Sequence, residues 1–593
     1  MSKQATATPS GSAQSSSEGR LDSWKEIAAY LRREVRTVQR WEKSANLPVH
    51  RRQLEKQNVI YAYKSELDAW YKDRRSHLEF GAEDSEQKEP PTLLEKLRQP
   101  WIAGGVAALI LILSGGAYFV GKSWWFRAHS APAKIKLAVL PFQNLSADPE
   151  QEYFSDGMTE EMITELGRMQ PERLGVIART SAMLYKNTQK DLSQICRELG
   201  VQYVLEGSVF HSENRVRITA QLIQCSDQTH VWADSSERDL VNIVSLQGDV
   251  AQGVARKIKL TLTPDAQARP TGARQVNPEA YQDYLKGLYF WNQLRPDSTQ
   301  TAIKYFHAAI EKDPGYAPAY AGLATSYIAA SLVRDVSLRE AYSRARTAAS
   351  KAVAIDDNSA EAHFSLANVA LHNDWDWSLA EREYRRASEL NPNFALAHLG
   401  YGYLLVLLRR PDEAWTQLEI ARALDPLSQV VGQTLAISLY DSRRYDEAID
   451  FINQSLELYP DSGALRDWLG DAYAQKGMEQ LALAEYLKAE ELGGASPSRI
   501  AALRNASRKS GLRGFRQTKI GLDEDPTSPG FTAYDVASDY AILGDRDNAL
   551  LWLEKAYKAR DWRLIEVAVE PRFDVLRSDP RFQDLLRRLG LPP

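Results

Sequence analysis

Apolar positions recur with helical spacing in two short segments near the start of the chain. The apolar positions on the facing sides of these two predicted helices are Ile27, Ala28, Leu31, Val38 and Trp41. Two amphipathic helices that are joined by a short turn pack as a helix-turn-helix. The sequence LPVHRRQLEKQNVIYAY that follows predicts two strands around a basic tip, and a third helix begins at Ser65. These patterns predict a winged helix-turn-helix over residues 21–77, after a disordered tail over residues 1–20.

An uninterrupted apolar stretch, WIAGGVAALILILSGGAYFV, occupies residues 101–120 and contains no charge. As a helix, it would reach roughly 30 Å, which is the thickness of the hydrocarbon core of a bilayer. Trp124, Trp125 and Arg127 follow as an aromatic and basic collar. The sequence therefore predicts a polar linker over 78–100 and a single transmembrane helix over 101–120, and hence a single-pass protein of the bacterial inner membrane. A buried core helix is the alternative.

Strand and helix patterns alternate over residues 134–263. KIKLAVLPF is typical of a strand, SDGMTEEMITELGRM of a helix, and VQYVLEGSVF with RVRITAQLI of a hairpin with alternating apolar and polar positions. A helix near Ile243 to Leu262 ends the region. The pattern predicts a small mixed α/β domain.

From Val276 onward the chain repeats with a period of 34 residues. The small residues that define this register are Ala380, Ala414, Ala448 and Ala482, and the larger residues four positions later are Tyr384, Leu418, Ile452 and Tyr486. This period is typical of tetratricopeptide repeats, in which alanine lets paired helices approach closely. The sequence predicts an all-α solenoid over 276–492, an irregular connection over 493–530, and a terminal repeat with a cap over 531–593.

Neither the composition nor the net charge of the chain indicates a catalytic site. The net charge is -5 at pH 7, whereas the segment around the first two helices is basic. Cys196 and Cys225 are the two cysteines of the chain, and either a single bridge or two inert thiols fits them. GAYFVGKS, Gly116 to Ser123, matches the phosphate-loop pattern but lies at the end of the apolar stretch, where that loop does not form. No catalytic, metal or cofactor site is predicted, and we do not expect an enzyme.

Basic and amide side chains on the second predicted helix and on the wing form the candidate DNA-binding site. Arg and Gln side chains hydrogen-bond to base edges and phosphates in the major groove. The candidate DNA-binding residues are Arg36, Thr37, Gln39, Arg40 and Lys43 on the helix and His50, Arg51, Arg52 and Lys56 on the wing. A protein-interaction module or a degenerate reader of DNA is the alternative.

Several of these motifs resemble known families. W-K-E-I-A-A-Y-L, R-T-V-Q-R-W-E and L-P-V-H-R resemble the winged helix-turn-helix of the MerR and excisionase type, which implies DNA binding. Arg32 and Glu34 stand where that family has Gly and a capping Ser or Thr, a loss of about 1 kcal/mol. LAVLPFQNLS, YFSDGMTEEMITEL and THVWADSSERDL resemble the TolB amino-terminal-like domain, which implies an extracytoplasmic, non-catalytic domain. The whole layout is similar to membrane-anchored activators of the CadC kind.

These features together predict a membrane-anchored one-component transcription regulator. Its DNA-binding head would lie in the cytoplasm, and its α/β domain and repeats would form an extracytoplasmic region that senses a signal or docks a protein or peptide. Small residues four positions apart in the span, Ala103 with Ala107 and Gly104 with Ala108, favour a homodimer. The alternative function is a membrane-tethered tetratricopeptide scaffold for complex assembly, without sequence-specific DNA binding.

Overall fold

A computed structural model describes residues 19–54, 57–79, 134–146, 148–212, 214–258, 276–293, 295–332, 338–523 and 532–591. Contacts divide the chain into two units, Met1–His129 and Ser130–Pro593, each with its own core. The elements of the first unit are β1 (Arg20–Leu21), α1 (Trp24–Tyr30), α2 (Val35–Ala45), β2 (His50–Leu54), β3 (Gln57–Tyr63) and α3 (Lys64–Glu79).

The first unit is held together by one small apolar core. Ile27 of α1, Val38 of α2 and Leu67 of α3 are fully buried in it, so all three helices contribute. The strands form an antiparallel sheet in the order β1-β3-β2, in which β2 and β3 are the predicted hairpin. The helices and the hairpin therefore lie where the hydrophobic pattern predicted them, and β1 is an additional strand.

The second unit begins with a mixed α/β domain. Its elements are β4 (Ile135–Val139), β5 (Gln143–Asn144), α4 (Glu152–Met169), β6 (Leu174–Val176), α5 (Arg179–Met183), α6 (Leu192–Leu199), β7 (Tyr203–Ser212), β8 (Arg215–Gln224), β9 (Thr229–Asp239) and α7 (Ile243–Lys257). The sheet has the order β6-β4-β7-β8-β9, and β5 pairs with β7. Strand β4 is parallel to β6 and β7, whereas β7, β8 and β9 are antiparallel.

Residues on β4 point to the two faces of this sheet in turn, as a strand period of two requires. Leu137 and Val139 join the core that α4 and α7 cover, and Ala138 joins a second core on the other face. Cys196 belongs to that second core and forms a disulfide with Cys225, with Cα atoms 6.0 Å apart. The choice that the sequence left open is therefore a bridge.

The rest of the second unit is helical. Its helices are α8 (Pro278–Trp291), α9 (Pro296–Lys312), α10 (Ala317–Leu332), α11 (Leu338–Ile355), α12 (Ala360–Val369), α13 (Trp377–Leu390), α14 (Ala395–Leu407), α15 (Pro411–Leu424), α16 (Gln429–Asp441), α17 (Tyr445–Leu458), α18 (Gly463–Gln475), α19 (Glu479–Leu492), α20 (Pro497–Asp523), α21 (Ala533–Ile542), α22 (Arg546–Ala559) and α23 (Pro580–Arg588). Helices α8 to α19 pack as successive pairs, and α21 pairs with α22.

The 34-residue register predicts the packing within these pairs. Ala380, Ala414, Ala448 and Ala482 are fully buried. A Cβ atom at Gly470 would lie 2.6 Å from the Tyr486 ring, so this close helix approach requires glycine. The prediction of a tetratricopeptide solenoid is confirmed.

Residues 493–530 differ from the irregular connection that the sequence predicts. Most of this stretch forms helix α20, which kinks at Ser510 and Gly511, where Gly511 has a φ of +59°. The two halves of α20 are held on the solenoid because Leu503 and Phe515 are buried in one cluster with Tyr486. The break in the 34-residue register therefore changes the helix geometry without interrupting the core.

The α/β domain is fixed to the repeats by the side chain of Asn393, which lies in the loop before α14. Its amide oxygen accepts a hydrogen bond from the backbone N–H of Val176 at 3.1 Å. Its amide nitrogen donates to the carbonyls of Gly167 at 2.7 Å and Leu174 at 3.0 Å. One buried amide thus satisfies three backbone groups of the neighbouring domain.

Two further contacts extend this junction along the repeats. Asp425, before α16, accepts from the N–H and the hydroxyl of Ser181 at 3.1 and 2.6 Å. Glu361, in the first turn of α12, accepts from Arg168 at 3.1 Å. The α/β domain therefore contacts the repeats at the N-terminal ends of their first helices.

The C-terminal ends of first helices α14 and α16 contact residues 562–577, which we name the covering segment. Within it Leu564, Ile565, Val567, Ala568 and Phe573 are fully buried. Two arginines of the repeats bind its main chain and two tyrosines bind its carboxylates. The four hydrogen bonds run from Arg409 to the Ala568 carbonyl (2.7 Å), from Arg443 to the Val569 carbonyl (2.7 Å), from Tyr403 to the Glu566 carboxylate (2.7 Å) and from Tyr440 to the Glu570 carboxylate (3.1 Å).

The predicted transmembrane helix over 101–120, with its small residues, and nearly all of the 78–100 linker lie outside the described residues. Among the helices that the structure does describe, none combines the length and the apolar content needed to cross a bilayer. The longest of them, α20, carries six arginine and lysine residues between Arg499 and Arg516. The fold class that included a single transmembrane helix, and the single-pass inner-membrane localisation, are therefore corrected: the described residues support the solenoid and support neither that helix nor that localisation.

Replacing Asn393 tests the junction between the α/β domain and the repeats. We expect Asn393→Ala to lower the free energy of unfolding by about 3 kcal/mol, because it leaves buried backbone groups without partners. Hydrogen exchange at the Val176 amide and urea unfolding of the full chain measure this. Asn358→Ala, at an exposed asparagine of the same solenoid, is the control. Unchanged Val176 exchange in the Asn393 variant would contradict the assignment.

Removing the disulfide tests its contribution to the α/β domain. The bridge closes a loop between positions 29 residues apart, and a cross-link of this span contributes roughly 3–4 kcal/mol through the unfolded state. We expect the double substitution Cys196→Ser and Cys225→Ser to lower the urea midpoint by a corresponding amount. Wild-type protein in reductant is the matched control and should behave like the variant. Equal midpoints with and without reductant would contradict the pairing.

Candidate nucleic-acid interface

Helix α2 presents a basic side to solvent because its opposite side is packed. Val38 is fully buried, and the Trp41 ring lies 5.7 Å from the Trp70 ring of α3. Arg36, Arg40 and Lys43 are exposed. Positions four and seven apart along a helix share one face. The amphipathic pattern thus turns the three cations outward together.

Thr37 and Gln39, the other two predicted helix residues, are half-buried. Both lie on the same turns of α2 as the exposed arginines. A partly buried polar side chain loses less conformational entropy when it binds than a fully exposed one. The structure therefore brings all five predicted helix residues onto one element, three at its outer face and two at the edge of its packed face.

The turn before α2 carries the two departures from the family pattern. Arg32 has a φ of +51°, the left-handed conformation that favours glycine. Glu34 is the N-cap residue of α2, and its side chain makes no capping hydrogen bond. By contrast, Ser23 caps α1 by accepting from the N–H of Glu26 at 3.2 Å. The expectation of an uncapped second helix is confirmed.

The wing residues are tied to both neighbouring helices. Nε2 of His50 lies 2.7 Å from Oε2 of Glu66 in α3, and the His50 ring stacks on Tyr61 at 5.2 Å. Arg51 donates to Glu42 of α2 at 2.7 Å, although its own side chain is 61% exposed. These contacts fix the base of the hairpin next to the C-terminal half of α2.

The outer part of the hairpin is less fully described. Arg52 lies on β2, opposite Val59 of β3, and its side chain falls outside the described residues. Lys56, in the tip, also lies outside them. The candidate interface is therefore built from seven described side chains on α2 and the base of the wing, together with these two positions on the outer hairpin.

Two contacts in the first unit were not predicted from the sequence. The guanidinium of Arg20, on β1, lies over the Tyr61 ring of the wing at 4.2 Å and pairs with Asp22 at 2.7 Å. A strand of two residues has no periodicity that a sequence reveals. The hydroxyl of Tyr30 donates to Asp68 at 2.8 Å, and this hydrogen bond raises the pKa of Tyr30. Helices α1 and α3 are thereby joined at the exposed side.

Family comparisons identify the class of the second unit. A family described as the second domain of HilA/YgeH-like transcriptional regulators matches residues 133–252. Tetratricopeptide repeats match residues 376–428 and 434–498. The chain thus contains a HilA/YgeH-like transcriptional regulator domain together with tetratricopeptide repeats. The finer resemblances, to the MerR and excisionase type, the TolB amino-terminal-like domain and the CadC layout, are not confirmed by these matches.

Particular relatives extend over larger parts of the chain. Transcriptional regulator HilA of Salmonella typhimurium is 22% identical over 323 residues, which are 54% of this chain and 56% of that protein. A Rhizobium meliloti protein named "Putative adenylate cyclase 3" is 36% identical over 254 residues, 43% of this chain and 42% of that protein. The chain spans about half the length of these curated relatives. Among solved structures, the pilF protein of Pseudomonas aeruginosa is 19% identical, covers 46% of this chain and 98% of its own, and has a TM-score of 0.27.

The expectation that this chain is not an enzyme is contradicted by the Rhizobium meliloti relative, which bears an enzyme's name. Catalytic motifs of fixed spacing were the basis of that expectation, and they represent only part of the ways in which active sites are built. The expectation is therefore set aside.

Giving α2 a capping residue tests the turn. We expect Glu34→Ser to stabilise the start of α2 by about 1 kcal/mol, because a serine hydroxyl accepts a hydrogen bond from the second or third helical N–H. Slower hydrogen exchange at the amides of Arg36 and Thr37 measures the gain. Glu34→Ala removes the same charge without adding a hydroxyl, so it should give no such protection. Equal protection in both variants would contradict the capping argument.

Proposed function

We propose that this protein is a DNA-binding transcription regulator in which α2 enters the major groove and the hairpin contacts the adjoining backbone. The observation that carries this proposal is the exposed basic face of α2, Arg36, Arg40 and Lys43, opposite the buried Val38. A helix of this kind fits the width of the major groove. The HilA/YgeH-like regulator domain in the same chain supports the proposal.

Each candidate side chain has a role that its chemistry suggests. Arg36, Gln39 and Arg40 have the donors and acceptors that read base edges, and Thr37 and Lys43 suit phosphates. On the wing, phosphate contact is the proposed role. Those wing residues are His50, Arg51, Arg52 and Lys56. Arg51, whose side chain is 61% exposed, would exchange its ion pair with Glu42 for a phosphate.

The repeats supply the protein-interaction part of this proposal. The α/β domain and the covering segment already contact the two ends of several first helices. We therefore assign partner binding to the outer sides of the second helices. Exposed leucines there, at 50–56% exposure, are Leu458 of α17, Leu481 of α19 and Leu551 of α22. A repeat scaffold without sequence-specific DNA binding would use the same surface, so DNA discrimination separates the two functions.

Replacing the two arginines of α2 tests sequence-specific binding. We expect the double substitution Arg36→Ala and Arg40→Ala to abolish discrimination between preferred and random DNA, because each bidentate pairing of a side chain with a base contributes about 1–3 kcal/mol of discrimination. Gel-shift titrations of the full chain, on duplexes selected from a random pool, measure the ratio of affinities. Lys72→Ala, at an exposed lysine of α3, is the control and should retain discrimination.

Salt dependence provides a second reading of the same titrations. Removing a phosphate contact lowers the slope of log K against log salt by about 0.9, so Arg51→Ala should reduce the slope while it preserves the preferred sequence. Wild-type protein that selects no sequence from the pool would contradict the regulator function and favour the scaffold.

A further inference from the structure

A cavity of about 260 Å³ lies between the α/β domain and the first repeats. Helices α4 and α5 form one side, and α8, α10 and α12 form much of the other. Tyr284, Leu288 and Phe364 give it apolar and aromatic walls. Ligand pockets usually measure about 300–1,000 Å³. At about 260 Å³ the cavity lies just below this range, so the molecule it could hold is a small organic one rather than a drug-sized ligand or a protein segment.

The charged groups around the cavity are mostly carboxylates, and two of them have cationic partners. Arg168 donates to Glu361 at 3.1 Å. Arg179 lies 3.5 Å from Glu160, which also accepts from the side-chain amide of Asn292 at 3.0 Å. These pairs compensate both arginines that line the cavity. An anionic ligand would have to break one of the pairs.

Glu161 lines the cavity without such a partner. Its carboxylate accepts a hydrogen bond from the hydroxyl of Tyr284 at 3.1 Å, and no salt bridge joins it to any cation that the structure describes. Burial, reinforced by the neighbouring Glu160, raises the pKa of Glu161 to about 7. Arg168 opposes this rise without forming a salt bridge to Glu161, and carboxylates whose pKa is strongly perturbed cluster at functional sites.

Trp291 provides an independent observation in the same cavity. Its indole nitrogen is buried and has no hydrogen-bond partner within the described residues. Buried indole N–H groups normally find an acceptor. The cavity thus offers a carboxylate without a salt bridge, and an indole N–H without an acceptor among the described residues, between aromatic walls.

We propose that this cavity binds a small organic cation, in which an ammonium group pairs with Glu161 and an apolar body packs against Tyr284 and Phe364. Aromatic rings attract cations through their electron-rich faces, so the aromatic walls of the cavity and the Glu161 carboxylate both favour a cationic ligand. The assignment is independent of DNA reading, since it concerns only the second unit. A bound ligand would contact both the α/β domain and the repeats, and would therefore stabilise their junction.

Benzylammonium is the probe for this site, because it joins a single ammonium group to an aromatic ring. Calorimetric titration of the full chain at pH 8 should show binding of benzylammonium, whereas benzyl alcohol and phenylacetate, of similar size, should bind at least about tenfold more weakly. The affinity for benzylammonium should fall as the pH is lowered through about 7, since Glu161 becomes protonated. The other titratable groups that face Glu161 are Glu160, Arg168, Tyr284 and Glu361.

Two substitutions separate the roles of charge and space. Glu161→Gln should weaken benzylammonium binding about thirtyfold or more, as expected when one partner of a buried charge pair is removed. Glu172→Gln, at an exposed glutamate of the same domain, should leave binding unchanged. Thr164 of α4 also lines the cavity. Thr164→Leu narrows the cavity without altering a charge and should also weaken binding, which keeps the test valid if the Glu161 variant fails to fold.

Three results would overturn the proposal. They are equal affinity for benzylammonium and phenylacetate, unchanged binding in the Glu161 and Thr164 variants, and no binding of benzylammonium at millimolar concentration. None of them bears on sequence-specific DNA binding by α2. Failure of this site and failure of the regulator function are thus distinguishable.

Discussion

The close approach of paired helices is the constraint on which the second unit depends. Buried alanines at 34-residue intervals, such as Ala414 and Ala448, leave room for the neighbouring helix, and rings such as Tyr486 fill the space above glycine. Because each pair repeats the same geometry, the ends of the first helices fall into two rows. One row receives the α/β domain through Asn393, and the other receives the covering segment through Arg409 and Arg443.

Both rows of helix ends bury charged side chains, but the buried carboxylates of the two rows differ in their surroundings. At the covering segment, Glu570 pairs with Arg572 at 2.7 Å, whereas both carboxylate oxygens of Asp441 lack hydrogen-bond partners in the described structure. Burial, with Glu570 and Glu566 nearby, raises the pKa of Asp441 well above its usual range. At the α/β junction, Glu161 accepts a hydrogen bond from Tyr284 but has no salt bridge within the described residues, and it faces a cavity. Asp441 is closed to solvent, whereas the proposed ligand would reach Glu161 through the cavity.

Local patterns in the sequence predicted the elements whose packing is local. The period of 34 predicted the helix pairs, and the apolar face with Val38 predicted the orientation of α2. The contacts that escaped prediction join residues far apart in the chain. Asn393 and Val176 are separated by 217 positions, and Arg409 and Ala568 by 159. No periodicity encodes such pairs, and the same reason hid the cavity between the α/β domain and the repeats.

The covering segment has a consequence for the order in which the chain folds during synthesis. Helices α14 and α16 emerge from the ribosome well before residues 562–577, yet those later residues share an apolar cluster with them and cover their C-terminal ends. The nascent solenoid therefore exposes apolar surface until that stretch has been translated, a condition in which chaperones engage partly folded chains. Premature termination between α20 and α22 would leave this surface uncovered permanently.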